Sequence, residues 1–118
     1  YSGLGLIKGR VKKFKYHYDN FTKYPVPQIG WNKINKTNGS WDHSLLRNNT
    51  NGDFMYFVHS YFVEPENDNI MLSKTIYGNT EYCSSIQQNN IFACQFHPEK
   101  SGEIGINIYK NLKKEYCS

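Results

Sequence analysis

The sequence predicts an α/β chain in which a run of strands is closed by one terminal helix. Three stretches predict it. Residues 54–63, Phe-Met-Tyr-Phe-Val-His-Ser-Tyr-Phe-Val, are apolar nearly throughout, which suits a strand covered on both faces. Phe92, Cys94 and Phe96 alternate with Ala93 and Gln95, which suits a strand with at least one buried face. Ile104, Ile108 and Leu112 then recur at i, i+4 and i+8, with Tyr109 beside Ile108, as one stripe of a helix requires.

The remaining elements follow in order. Residues 3–15 read as a strand with Leu4, Leu6, Val11 and Phe14 as apolar contacts and Lys8, Arg10, Lys12, Lys13 and Lys15 as a solvated basic face. Pro25 and Pro27 mark a loop, and Ile29 to Ile34 a short strand. Residues 35–53 are rich in Asn, Gly, Ser and Thr, with Asn38-Gly39 and Asn51-Gly52 as turn signals around an apolar cluster of Trp41, Leu45 and Leu46. Residues 64–69 form an exposed acidic loop. Residues 70–77 and 82–88 read as a hairpin with Gly78-Asn79 in its turn, and 89–96 as the strand that follows. Ser101 is placed to cap the helix, which runs to about residue 114 with Lys110, Lys113 and Lys114 near its C-terminal end.

Composition narrows the function classes. The 118 residues suffice for one small domain, and 38% hydrophobic residues give a lean core. A net charge of +4 without a nucleic-acid-binding signature does not imply DNA or RNA. No apolar run approaches a membrane span. The three cysteines, Cys83, Cys94 and Cys117, are odd in number and contain no Cys-x-x-Cys, so no disulfide framework is expected and a reducing cytoplasm is. His17, His43, His59 and His97 show no metal-ligand spacing, and neither metal nor cofactor is expected.

The chemistry concentrates at the end of the 92–96 strand. His97 and Glu99 flank Pro98, and proline stops the ladder. In an extended segment, positions i and i+2 share a side, so the imidazole and the carboxylate can be neighbours. A carboxylate in that position fixes a histidine tautomer and stabilises the imidazolium. The spacing alone is a weak signal.

The wider context is more specific. Gln95-Phe96-His97-Pro98-Glu99-Lys100-Ser101 resembles the C-terminal active-site signature of class I (triad) glutamine amidotransferases, most of all glutaminase subunits of the imidazole glycerol phosphate synthase (HisH) type. Gly3 to Val11, Pro25 to Asn32 and Tyr56 to Tyr61 resemble further segments of that family, in family order and over nearly the whole chain. The resemblance implies a flavodoxin-like α/β sandwich with a central, mostly parallel sheet. Residues 1–118 would be its C-terminal part, carrying mixed strands, an antiparallel extension and the terminal helix. It implies hydrolysis of glutamine to glutamate and ammonia, with His97 as base and Glu99 as its orienting carboxylate. His59, Ser60 and Tyr61 would border the glutamine pocket. Trp31, Tyr56 and Lys100 would face a partner. That partner would be a (β/α)₈-barrel synthase subunit forming a heterodimer and receiving the ammonia through a channel. A sugar amidotransferase, or a non-catalytic interaction role, are the alternatives. The family's nucleophile is a cysteine in a Gly-x-Cys-x-Gly turn, and no cysteine here has those neighbours. The expectation is therefore that the nucleophile lies upstream of Tyr1 in a longer protein, and that these residues alone are inactive.

Overall fold

The computed structural model describes residues 9–14, 17–18, 23–24, 26–37, 40–89 and 91–116. Among the expectations above, those on residues 3–8, Lys15, Pro25, Asn38-Gly39 and Cys117 lie outside the described residues. The strands are β1 (Gly9–Lys13), β2 (His17–Tyr18), β3 (Lys23–Tyr24), β4 (Gln28–Lys33), β5 (Asn35–Lys36), β6 (Phe54–His59), β7 (Tyr61–Pro65), β8 (Met71–Tyr77), β9 (Thr80–Gln88) and β10 (Ile91–Cys94). Helix α1 (Gly102–Tyr116) is the last described element, and short 3-10 turns occupy Asp68–Ile70 and Pro98–Lys100.

The main sheet runs β1-β7-β9-β8-β5, with β10 added to β9. β4 pairs with β6, and β2 with β3. Every ladder among the described residues is antiparallel, so the parallel pairing that the resemblance implies for the central sheet is not found here. The pattern matches the expected antiparallel extension. The β8–β9 hairpin turns at Gly78-Asn79, and Gly78 takes φ 62°, the left-handed start that glycine adopts without strain.

Three element readings are corrected. The 54–63 run is two strands, broken at Ser60, whose carbonyl accepts from the Phe14 amide at 2.9 Å. Its burial alternates instead of covering both faces: Met55, Phe57 and Phe62 are buried, while Phe54, Val58 and Tyr61 are exposed. Val11 is 70% exposed on β1 and makes no core contact, unlike Phe14. On α1, Ile108 is 3% exposed but Ile104 and Leu112 are 37% and 38% exposed. The buried face of the helix is Gly105, Ile108 and Asn111, because Asn111 donates to the Leu45 carbonyl at 2.9 Å and turns that side inward.

The core lies where β6, the 41–46 turns and α1 meet. Trp41, Leu46, Met55 and Phe57 are essentially inaccessible, and Phe14, Phe96 and Ile108 close over them. The Trp41 indole N–H, which would be costly to bury alone, donates to the Leu72 carbonyl at 2.6 Å. Beneath β8 and β9 the buried hydroxyls of Ser73, Ser84 and Ser85 satisfy one another.

Candidate functional site

The 92–96 strand ends sooner than expected. β10 stops at Cys94, Gln95 bends while its amide still reaches the Ser84 carbonyl, and Phe96 makes one antiparallel bridge to Phe57. That bridge ties the end of β10 to β6. His97 follows with φ −104° and ψ 96°, and Pro98–Lys100 closes a 3-10 turn. Proline suits the first position of that turn, where its missing N–H costs nothing.

His97 is held by its backbone on both sides. Its N–H donates to the Tyr56 carbonyl at 2.8 Å. Its carbonyl accepts from the Ser101 hydroxyl at 2.6 Å and from the Lys100 N–H at 3.0 Å. The Ser101 hydroxyl also accepts from the Tyr56 N–H at 3.0 Å. Ser101 therefore does not cap α1 with its side chain, as the sequence suggested. Its hydroxyl is engaged in linking β6 to the His97 turn.

The side chains meet as expected, through a tight turn instead of an extended segment. His97 Nδ1 lies 2.9 Å from Glu99 Oε1. An ionised carboxylate can only accept, so Nδ1 carries a proton, and in the neutral ring Nε2 is the nitrogen left with a lone pair. Both side chains are partly open to solvent. The Glu99 carboxyl is held below its usual range by hydrogen bonding, from its own backbone first and then from His97 and Tyr109. Tyr109 on α1 donates to Glu99 Oε2 at 3.2 Å. Tyr109 was read only as part of the helix stripe. The signal that could have found it is Gly105, one turn earlier, where the helix backbone packs directly on the His97 turn.

Trp31, Tyr56 and Lys100 come together. Trp31 and Tyr56 are cross-strand partners on β4 and β6, with ring centroids 5.8 Å apart, edge to face. The Lys100 ammonium lies 5.9 Å from the centre of the Tyr56 ring. Trp31 is 56% exposed, so this cluster faces solvent beside the His97 turn.

His59, Ser60 and Tyr61 sit at the β6–β7 junction, and they do not share one environment. The His59 ring lies against Phe14, Phe57 and Tyr82 at centroid distances of 5.0 to 5.5 Å. Its Nδ1 meets the Tyr61 carbonyl at 2.8 Å, and Nε2 meets Gln28 Oε1 and the Tyr82 hydroxyl, each at 3.1 Å. Burial pushes this imidazole below its ordinary value. Tyr82 is pushed up by burial in the same cluster. Tyr61 is exposed, with the Lys13 ammonium 5.9 Å from its ring centre.

Neither described cysteine is prepared for nucleophilic attack. Burial pushes the Cys83 thiol up to about 11 and the Cys94 thiol up to about 12. Each sulfur donates to a backbone carbonyl, of Ser85 and Phe96 respectively. No cluster of three metal-ligating groups occurs among the described residues, and no helix among them is long and apolar enough to cross a membrane. A cleft of about 450 Å³ opens beside Trp41, Asp68, Lys74 and Glu81, and none of the residues around it belongs to the His97 cluster.

Residues 12–113 match the family described as glutamine amidotransferase class-I. The chain is 39% identical over 112 residues, 95% of its length, to the imidazole glycerol phosphate synthase subunit HisH of Chlorobaculum tepidum. It is 38% identical over 120 residues, 99% of its length, to the subunit of that name from Cyanophora paradoxa. It is 42% identical over 110 residues, 93% of its length, to that of Chlorobium luteolum. It spans 52%, 52% and 51% of those relatives, about half their length. With residues 12–113 matched by the family and nearly the whole chain aligned with these relatives, this chain belongs to the class-I glutamine amidotransferase family.

Proposed function

We propose that the protein carrying this chain is a glutaminase whose ammonia supplies a synthase partner in imidazole glycerol phosphate formation, and so in histidine biosynthesis. The observation that carries the reading is the Nδ1–Oε1 contact of 2.9 Å, which leaves His97 Nε2 free as a base. In the proposed reaction a cysteine thiol, outside the described residues, gives its proton to Nε2. The thiolate attacks the glutamine carboxamide carbon and forms a thioester as the C–N bond breaks. His97 returns the proton to the departing nitrogen, which leaves as ammonia. Water then attacks the thioester and gives its proton to His97, which returns it to the sulfur as glutamate is released. Glu99 steadies the imidazolium in both halves.

Ser60, Tyr61 and the His59 backbone border the glutamine in this reading, while the His59 ring supports them from the core side. Trp31, Tyr56 and Lys100 face the partner, a (β/α)₈-barrel subunit, and the exposure of Trp31 and Lys100 with the half-buried Tyr56 between them supports that role. The relatives are named for imidazole glycerol phosphate synthase, which favours that acceptor over a sugar amidotransferase. Two free thiols support a reducing, cytoplasmic setting. The raised Cys83 and Cys94 thiols support the expectation that these 118 residues alone are inactive.

The test is glutaminase activity of the full-length protein with its partner. His97→Ala should lower kcat by roughly 10²- to 10⁴-fold, as loss of a general base does. Equal activity in the two proteins overturns the assignment.

A further inference from the structure

We propose that Tyr109 is a positioning residue for the His97–Glu99 pair, holding the second carboxylate oxygen so that the first meets the imidazole. The inference rests on the glutaminase reading.

Geometry carries it. Glu99 stands on an exposed 3-10 turn, and its carboxylate is half open to solvent. Within the turn the carboxylate meets its own backbone and His97, and a donor from outside the turn fixes its other oxygen. It is held at both ends: Oε1 by His97 Nδ1 at 2.9 Å and Oε2 by the Tyr109 hydroxyl at 3.2 Å. The second anchor comes from a different element, ten residues further on.

The placement of Tyr109 depends on a close approach. A Cβ on Gly105 would lie 2.1 Å from the Pro98 carbonyl oxygen and 2.7 Å from the Ser101 Cβ. Only glycine lets α1 come this near the turn. Tyr109, four residues later, lies one turn along the same side of the helix. The tyrosine is 45% exposed and packs little, so its ring is not there to fill the core.

The groups that act on Glu99 are few. His97 and its own backbone reach it from the turn, Tyr109 from α1, and the Cys94 thiol from β10. Among these, Tyr109 and His97 are the side chains that hydrogen-bond the carboxylate. A lost donor makes a carboxylate easier to protonate. Removing the Tyr109 hydroxyl therefore raises the Glu99 titration.

The experiment uses the full-length protein with its partner, comparing wild type, His97→Ala and Tyr109→Phe. Phenylalanine keeps the ring and removes only the hydroxyl. Glutaminase activity that is absent in wild type or unchanged in His97→Ala defeats the glutaminase reading, whatever Tyr109 does. With that reading intact, Tyr109→Phe should lower kcat about three- to tenfold with KM for glutamine unchanged. Carbon-13 NMR should show the Glu99 carboxyl titrating at higher pH than in wild type. Nitrogen-15 NMR should show His97 losing part of its Nδ1–H tautomer. A merely structural tyrosine would move thermal stability and leave the titration and tautomer alone. Unchanged kcat, or unchanged Glu99 titration and His97 tautomer, overturns the proposal.

Discussion

At the scale of single residues, the His97–Glu99 contact was legible because it depends on two positions and a proline. The reason differs from the one the sequence suggested, since a 3-10 turn brings the groups together. Glu99→Gln should lower kcat about 100-fold, because the amide can donate to Nδ1 and favour the wrong tautomer; an effect near 10⁴, known for a buried aspartate in that role, is not expected at an open site. Steady-state kinetics of the full-length protein check this. His59 was less legible. A histidine in an apolar run predicts polar partners, but not which ones, because Gln28 and Tyr82 arrive from distant strands. Its imidazole is held below 6.5 by burial, so the unfolded chain binds that proton more readily. Stability should therefore fall as pH drops from about 6.5 through the lowered value. Thermal melts of the full-length protein should show this, and His59→Gln should flatten the slope.

At the scale of elements, the hairpin at Gly78-Asn79 and the terminal helix were both legible, since turn chemistry and helical spacing are local. The face of α1 was not. Which stripe turns inward is decided by Gly105 against Pro98 and by Asn111 reaching Leu45, neither of which is an apolar contact. Gly105→Ala forces a methyl group onto a backbone oxygen and should cost about 3 kcal/mol, at the high end for overpacking. A denaturation midpoint equal to wild type would count against the close approach. Ser101 was misread for a similar reason. Its type fits a cap, yet β6 offers its hydroxyl better partners. Ser101→Ala leaves a His97 carbonyl and a Tyr56 N–H each short of one hydrogen bond, and should cost about 2 kcal/mol. Urea titration of the full-length protein measures that loss directly.

At the scale of the whole molecule, the succession of strands and helix was readable, but sheet order was not, because β1-β7-β9-β8-β5 is set by pairings far apart in sequence. The outward face of β4 and β6 presents Ile29, Trp31, Phe54 and Val58, all exposed. Alternation alone could not show that nothing among the described residues covers them. An apolar face of this kind favours association. The isolated 118-residue chain should bind a hydrophobic dye and self-associate in gel filtration, and lysines at both Ile29 and Val58 should suppress both effects. A sharp, cooperative melt of a dye-free monomer would contradict this.

The two raised thiols, one buried and one half-buried, have a practical consequence. Protonated at neutral pH and committed to backbone oxygens, Cys83 and Cys94 should react slowly with alkylating reagents. A brief, dilute iodoacetamide pulse would then mark any acidic sulfur of the proposed glutaminase with little interference from this pair, so that one mass-spectrometric peptide map would test where a nucleophile for His97 lies.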